Sequence, residues 1–236
     1  MLVVPCYNEE KRLEIEKFRA FANQGIQFCF ADDGSTDGTL HMLQTAFAQQ
    51  KNIRIFKAPK NLGKAGVIRA AVLDILKTGL PYETDWVGFW DADLATPLDE
   101  VVKFFRYQAD FAPNAKAMFG SRVLRLGAYI DRLPLRHYLG RIFATIASNM
   151  LKVRPYDSQC GAKIFHRDVL RQAFEEEFIS RWIFDLEILL RIGERKIVEV
   201  PLTQWTDIPG SKVQISKEVF RVLKDLWMIR KKYIVR

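Results

Sequence analysis

Residues 86–93 read Trp-Val-Gly-Phe-Trp-Asp-Ala-Asp, an apolar run that closes on two acids, Asp91 and Asp93. Such a run predicts a strand buried on both faces of a parallel sheet. An earlier run, residues 26–31, closes on Asp32 and Asp33 in the same way. The carboxyl ends of parallel strands line the ligand crevice of an open α/β sheet, so both acidic pairs are expected in one pocket.

Two carboxylates held this close repel each other unless a cation lies between them. Mg²⁺ or Mn²⁺ is the expected ion, because each is bound by one or two carboxylates while water and substrate phosphate fill the remaining positions. Asp91 and Asp93 are therefore the candidate metal ligands.

Short β-rich runs alternate with amphipathic stretches through the first half of the chain. This alternation predicts an α/β fold with a mostly parallel, doubly wound sheet flanked by helices. The predicted strands are residues 2–4, 26–31, 53–56, 86–90 and 117–120, and a helix is predicted at 184–192. Thr96 and Pro97 look like the N-cap and first residue of another helix.

Composition excludes several other classes of protein. The apolar runs are too short to span a bilayer, and three cysteines without metal-ligand spacing indicate a reducing compartment and no structural zinc. We therefore expect a cytoplasmic protein. The absence of a Gly/Ser/Pro-rich linker favours one domain, residues 1–236.

Three loops, at residues 5–9, 32–39 and 61–66, each follow a strand and open a helix. Such turns present backbone N–H groups to phosphate, and Tyr7 offers an aromatic face for a nucleobase. The loop around Lys64 lacks the spacing of a P-loop, and no Gly-x-Gly-x-x-Gly supports a dinucleotide fold. A P-loop NTPase and a dinucleotide enzyme are thus disfavoured.

In combination and order, these motifs resemble the inverting glycosyltransferases of family 2, which have a GT-A fold and include the dolichyl-phosphate sugar synthases. The resemblance extends to residues 120–122, 157–163, 181–187, 199–201 and 210–212. Gln159-Cys160-Gly161, and Trp182 before Phe184-Asp185, resemble the glucosyltransferase branch more than the mannosyltransferase branch. Residues 1–120 are then expected to bind the nucleotide sugar and residues 121–236 the acceptor.

The resemblance also implies roles for individual residues. The base and ribose of the donor are implied to be surrounded by Pro5, Tyr7, Glu9 and Asp33. Asp91 and Asp93 are implied to engage the metal and diphosphate. The resemblance further implies that Arg122 and Arg136 bind the acceptor phosphate and that Ser211 and Lys212 close over the donor. Ala95 stands where some mannosyl members have a metal-binding glutamine.

The mechanism expected from these roles is governed by charge. The cation stabilises the leaving diphosphate, and Lys64 or Lys212 assists. A lipid phosphate acceptor is already anionic and needs no strong general base. A neutral hydroxyl acceptor needs one, for which Asp157 is the candidate.

The net charge of +8 is concentrated near the C-terminus, where residues 217–236 interleave basic and apolar side chains. This pattern predicts an amphipathic helix that lies on anionic lipid, with Tyr138, Ile142, Phe143 and Ile146 as a second apolar face.

The chain is thus expected to be a peripheral enzyme of cell-envelope biogenesis at the inner face of the membrane. It would transfer a hexose from UDP-glucose or GDP-mannose to polyprenyl phosphate. A glycosyltransferase with a hydroxyl acceptor and a non-catalytic membrane adaptor remain alternatives. Nucleic acid is not an expected partner, because no aromatic-and-basic recognition motif is present.

Overall fold

A computed structural model of the chain describes residues 1–80, 84–208 and 215–235, excluding the side chains of residues 134–136 and 215–220. The strands are β1 Leu2–Cys6, β2 Phe28–Asp32, β3 Ile53–Lys57, β4 Trp86–Trp90, β5 Ala117–Ser121, β6 Tyr129–Asp131, β7 Ala162–His166, β8 Ile197–Pro201 and β9 Gln204–Thr206. The helices are α1 Ile15–Asn23, α2 Thr39–Ala46, α3 Gly63–Thr78, α4 Glu100–Phe111, α5 Pro134–Leu151, α6 Arg167–Phe174, α7 Phe184–Ile192 and α8 Ile215–Tyr233.

All five strands expected from the sequence are present, and α7 has the predicted bounds. The predicted helix start at Thr96 and Pro97 is wrong, because α4 begins at Glu100 with Asp99 at its N-cap. Residues 97–100 instead form a turn in which the Glu100 N–H donates to the Pro97 carbonyl. The fold class is confirmed as a mostly parallel sheet flanked by helices.

The chain divides into two compact units. The first comprises residues 1–94 and 161–177 and carries strands in the order β3-β2-β1-β4-β7, of which only β7 runs antiparallel to its neighbour β4. Because β1, β2 and β4 are parallel, their carboxyl ends lie at one edge. The division of labour between residues 1–120 and 121–236 stays a prediction.

Aromatic packing anchors the first unit. Phe18 of α1 contacts Phe28 and Phe30 of β2 edge to face, at centroid distances of 5.4 and 5.1 Å, and Phe30 stacks on Phe47 at 4.9 Å. All four rings are buried. Fully buried aromatic rings of this size contribute about 1.5–3 kcal/mol each, so this cluster fixes the strand that ends in Asp32.

The second unit comprises residues 95–160 and 178–236. Its strands pair as β5 with β8 and β6 with β9, both parallel, while α4 packs on β5 and β8 and α5 packs on α8. Leu226 and Ile229 form the buried stripe of α8. Among the described residues, no helix is long and apolar enough to cross a membrane.

Candidate active site

A pocket of about 240 Å³ opens in the first unit where β1, β2 and β4 end. Its lining contains the four residues that the resemblance assigned to the base and ribose, the two acids that it assigned to the metal and diphosphate, and the lysine expected to assist: Pro5, Tyr7, Glu9, Asp33, Asp91, Asp93 and Lys64, together with Cys6, Val67 and Ala92. Residues separated by up to 88 positions in the sequence thus converge, because parallel strands bring their carboxyl ends to one edge. Their individual roles stay predictions.

The acidic pair lies on a tight turn after β4. The Leu94 N–H donates to the Asp91 carbonyl at 3.2 Å, and Leu94 adopts a φ of 53°, in the left-handed region that costs a branched residue about 1–2 kcal/mol. A strained turn of this kind orients both carboxylates toward the pocket that they line.

Lys64 lies opposite this turn, with Nζ 2.5 Å from Oδ1 of Asp91. Both side chains remain partly exposed, so the ion pair contributes little to stability. The Lys64 ammonium group is suited to binding phosphate oxygens. It lies in the pocket where the negative charge of a diphosphate would be balanced by its positive charge.

Gly161 lies directly beside Asp91. The Asp91 N–H donates to the Gly161 carbonyl at 3.1 Å, and a Cβ placed on Gly161 would lie only 1.9 Å from Oδ2 of Asp91. The Asp91 carboxylate can therefore occupy this position only because residue 161 has no side chain. Sequence reasoning placed Gly161 in a family motif but missed this contact, since nothing in the local pattern pairs the two residues.

Asp33 has a structural role that the sequence did not reveal. Its buried carboxylate accepts from the backbone N–H groups of Leu62 at 2.6 Å and Gly63 at 2.9 Å, at the start of α3. A carboxylate at a helix N-terminus satisfies unpaired N–H groups and the helix dipole. Asp33 thereby positions Lys64 in the first turn of α3. Asp32 braces its own turn by accepting from the Ser35 N–H at 3.3 Å.

Glu9 carries an unsatisfied acceptor in this pocket. Its Oε1 accepts a hydrogen bond from the Arg12 guanidinium at 2.6 Å, whereas Oε2 is buried and has no hydrogen-bond partner among the described residues. Burial raises the pKa of Glu9, the ion pair with Arg12 opposes that shift, and the nearby charges of Asp93 and Asp37 add to it. An orphaned buried oxygen in a pocket is suited to a ligand hydroxyl.

Arg122 and Asp157 form a bidentate ion pair in the second unit. Nε and Nη2 of Arg122 donate to the two carboxylate oxygens at 2.6 and 2.8 Å, and the Arg122 N–H adds a third bond at 3.1 Å. Their side chains are only 12% and 9% exposed. The pairing engages both oxygens of the candidate base and the Nε–Nη2 edge of the candidate phosphate ligand. The two predicted roles stay predictions.

Three other predicted residues fall outside this description. Arg136 belongs to α5, but its side chain is among those excluded, and Ser211 and Lys212 lie outside the described residues. Their predicted contacts with the acceptor phosphate and the donor therefore stay predictions.

The carboxylates of the pocket fit a divalent cation whose remaining coordination positions are filled by the substrate and water. Within residues 1–80, 84–208 and 215–235, no group of three or more His, Cys, Asp or Glu side chains could hold a metal by itself. Asp91 and Asp93 supply two hard oxygen ligands at most, which is how Mg²⁺ and Mn²⁺ are held beside substrate phosphates.

Comparison with solved structures shows the fold. The chain superposes on glucosyl-3-phosphoglycerate synthase from Mycobacterium tuberculosis in complex with UDP with a TM-score of 0.69 at 16% identity, covering 98% of this chain and 79% of the other. That enzyme has also been solved with Mn²⁺, UDP-glucose and phosphoglyceric acid, with a TM-score of 0.64 to this chain, 16% identity and the same coverage.

Sequence relatives are more informative about the family. A dolichyl-phosphate beta-glucosyltransferase of Trichomonas vaginalis is 33% identical over 235 residues, which cover 91% of this chain and 68% of the relative. The enzyme of that name from Saccharomyces cerevisiae is 30% identical over 252 residues, covering 99% and 75%. This chain spans about two thirds to three quarters of the length of such relatives.

The profile of Glycosyl transferase family 2 matches residues 1–174, most of the chain. The match includes every residue of the pocket at the ends of β1, β2 and β4. The chain therefore belongs to glycosyl transferase family 2.

Proposed function

We propose that this enzyme transfers a hexose with inversion from a nucleoside diphosphate sugar to a polyprenyl or dolichyl phosphate. Glucose from UDP-glucose is the favoured substrate, and mannose from GDP-mannose is the next. The observation that carries the proposal is the pocket in which Asp91, Asp93 and Lys64 meet beside Tyr7 and Glu9. Relatives named dolichyl-phosphate beta-glucosyltransferases, at about 30% identity over most of the chain, supply the sugar and the acceptor class.

The donor is bound by groups of complementary chemistry. Tyr7, which is partly exposed at the pocket, offers its ring to the base, and the orphaned Oε2 of Glu9 accepts from a ribose hydroxyl. Lys64 exchanges its contact with Asp91 for the diphosphate oxygens. The Lys64 ammonium group, already held in place, would then stabilise the negative charge that develops on the leaving diphosphate.

Asp91 and Asp93 would hold the divalent cation, Mg²⁺ or Mn²⁺. When bound, it supplies Lewis-acid stabilisation of the leaving diphosphate. Support comes from the two-carboxylate donor set and from the solved neighbour that contains Mn²⁺ and UDP-glucose.

A phosphate acceptor suits the second unit better than a hydroxyl acceptor does. The candidate base Asp157 is fully engaged by Arg122, whereas a phosphate oxygen is already anionic at neutral pH and attacks without proton removal. A hydroxyl acceptor would require this ion pair to open first.

Two exposed surfaces support membrane contact. On α5, Tyr138 and Ile142 are 67% and 57% exposed, and on α8 Trp227 is 58% exposed with Lys231 near its ring. Apolar and aromatic side chains beside cations favour the interface of an anionic bilayer. We place the enzyme peripherally at the cytoplasmic face, where its three free cysteines would stay reduced.

The direct test is release of nucleoside diphosphate by purified enzyme with UDP-glucose or GDP-mannose, Mg²⁺ or Mn²⁺, and citronellyl phosphate, a short polyprenyl phosphate. We expect turnover that requires both metal and lipid phosphate and is lost in Asp93→Asn. The matched control is Asp110→Asn, which removes one exposed acid from α4 and should keep full activity. Turnover with a hydroxyl acceptor instead would support Asp157 as the general base. Absence of sugar-nucleotide binding would favour the alternative of a non-catalytic membrane adaptor.

Membrane contact is tested separately by sedimentation with vesicles of phosphatidylglycerol and phosphatidylcholine. Binding at low salt should weaken as salt is raised, and Trp227→Ser should reduce it further. Equal binding to neutral vesicles at all salt concentrations would contradict the electrostatic part of this proposal.

A further inference from the structure

Side chains between β2 and α2 hold the backbone of the loop after β1. We call residues 7–10 the β1 loop and residues 33–39 the β2–α2 segment, and both belong to the first unit. Three consecutive N–H groups of the β1 loop donate to this segment: Asn8 to Ser35 Oγ at 3.1 Å, Glu9 to Thr39 Oγ1 at 2.8 Å and Glu10 to Asp37 Oδ2 at 3.3 Å. The segment therefore fixes the backbone that carries Tyr7 and Glu9, two residues of the pocket.

Thr39 is the buried centre of this contact. It is fully buried at the first residue of α2, where its Oγ1 accepts from the Glu9 N–H and donates to Asp37 Oδ1 at 2.5 Å. The same Asp37 oxygen accepts from the Thr39 N–H at 3.0 Å. A hydroxyl that donates and accepts in this way has a fixed orientation. Without the hydroxyl, the Glu9 N–H would lose the hydrogen bond that anchors it.

Asn8 lies between Tyr7 and Glu9 and has an unusual backbone conformation. Its φ of 56° is in the left-handed region, which asparagine adopts more readily than most residues do. Its Oδ1 accepts from the Thr36 N–H at 2.8 Å and from the Thr36 hydroxyl at 3.3 Å. The Asn8 side chain is thus directed to the β2–α2 segment, whereas its two neighbours line the pocket.

The placement of Glu9 matters because its two carboxylate oxygens have different tasks. Oε1 accepts from Arg12, and the buried Oε2 is the atom that the proposed function assigns to a ribose hydroxyl. A shift of about 1 Å is enough to break a hydrogen bond and can cost about 10²-fold in rate. An anchor for the backbone of residue 9 is therefore also an anchor for Oε2.

We propose that Thr39 and Asn8 are positioning residues for the sugar nucleotide, and that Thr39 sets the preference for ribose over deoxyribose through Glu9. Thr39 acts on the backbone of Glu9, and Asn8 acts on the backbone beside Tyr7. This inference rests on the proposed function and deepens it, because it names the residues that make the donor pocket selective. A site built around a ligand hydroxyl discriminates against the analogue that lacks it, so the positioning is measurable as a selectivity.

Thr39→Val and Thr39→Ser test the role of the hydroxyl. Valine keeps the shape of threonine and removes the hydroxyl, whereas serine keeps it. The measurement is the Kd for UDP and for its 2′-deoxy and 3′-deoxy analogues by calorimetric titration, with GDP and its analogues used if the wild-type chain binds GDP instead. Thr45→Val is the matched control, because it changes an exposed threonine of the same helix.

We expect Thr39→Val to weaken binding of the ribonucleotide about 10-fold, the effect of one lost hydrogen bond. Its affinity for the analogue without the recognised hydroxyl should stay nearly unchanged, so the ratio of the two Kd values should fall towards 1. Thr39→Ser and Thr45→Val should keep the wild-type ratio.

Substitutions of Asn8 separate its side-chain hydrogen bonds from its backbone conformation. Asn8→Gly keeps access to the left-handed region and loses the bonds to Thr36, and Asn8→Ala loses both. The KM for the sugar nucleotide should rise about 10-fold in the glycine variant and further in the alanine variant. Asn8→Asp keeps the acceptor oxygen and should stay close to the wild type. The KM for citronellyl phosphate should be unchanged in all three variants.

A purely structural role predicts a different pattern. A lowered Tm in Thr39→Val with an unchanged ratio of Kd values would overturn the inference, and so would an equal rise in the KM for donor and acceptor. The ratio is measured at a temperature at which circular dichroism shows each variant to be folded. A destabilised variant therefore still reports on selectivity.

Nucleotide binding separates this inference from the proposed function, because it requires no sugar transfer. If a preference for ribose is lost in Thr39→Val while no sugar reaches citronellyl phosphate, the proposed function fails and the inference stands. If the wild-type enzyme transfers sugar and Thr39→Val keeps the full preference, the inference alone fails. A wild-type chain that binds neither UDP nor GDP, or that binds the deoxy analogues equally well, overturns the inference.

Discussion

Replacing Gly161 with alanine is a test of how the Asp91 carboxylate is positioned. The new methyl group would lie 1.9 Å from Oδ2, 2.3 Å from Cγ and 2.8 Å from Oδ1 of Asp91. The φ of Gly161 is outside the left-handed region, so alanine is compatible with the backbone there. The whole effect should therefore come from the contact with Asp91.

The size of the effect follows from the distance. The oxygen must move from 1.9 Å to at least 3.0 Å, a movement of about 1.1 Å, and this displaces Oδ1 from its 2.5 Å contact with Lys64. A misplacement of about 1 Å can cost about 10²-fold in rate, or roughly 2.7 kcal/mol of transition-state stabilisation. Overpacking should lower the free energy of unfolding by about 1–3 kcal/mol.

The activity measurement is kcat/KM for nucleoside diphosphate release in the presence of lipid phosphate. The control is Gly25→Ala, at a position with φ of 94° and no atom within 4 Å of the new methyl group. That variant should lose about 1 kcal/mol of stability through backbone strain while keeping its activity.

A double-mutant cycle isolates the contact from catalysis. In the Asp91→Ala background the clash is absent, so adding Gly161→Ala should leave the free energy of unfolding nearly unchanged. Wild-type activity and stability in Gly161→Ala, or an equal loss of stability in both backgrounds, would refute the steric argument.

Three further changes test the remaining contacts. Lys64→Met should lower kcat/KM about 10- to 100-fold with little change in Tm, because the Lys64–Asp91 pair is partly exposed, and a lowered Tm would contradict this. Arg122→Gln should cost about 2–3 kcal/mol in urea unfolding by leaving the Asp157 carboxylate unpaired, and the double variant with Asp157→Asn should lose less than the sum. The raised pKa of Glu9 means that its contribution to stability is most favourable below pH 4.5 and is lost as pH rises through its folded-state pKa. The stability gained by Glu9→Gln should consequently grow between pH 4.5 and 7.5, and a gain that shrinks over this range would exclude burial as the cause.

The local pattern was sufficient for most of the secondary structure. Apolar runs such as residues 86–90 predicted strands because burial on both faces requires uninterrupted hydrophobic side chains. The pattern misplaced the start of α4, since Thr96 and Pro97 carry the residue types of a helix start but lie in a turn. Short capping signals do not distinguish these two conformations.

The sequence by itself predicted the fold class, from hydrophobic periodicity along the chain. Its resemblance to a known family predicted the family and most of the residues that line the pocket. The parallel order of β1, β2 and β4 then follows from general rules of α/β sheets, which place strand ends at one edge.

Only the tertiary structure decided how individual side chains are used. In the tertiary structure the Asp33 carboxylate binds the N-terminus of α3, Gly161 lies against Asp91, and Arg122 pairs with Asp157. Each of these facts depends on the distance between atoms of residues far apart in sequence. A change of less than 1 Å in the distance between two atoms makes or breaks a hydrogen bond or a steric contact. The spacing of residues along the chain does not specify distances to that precision.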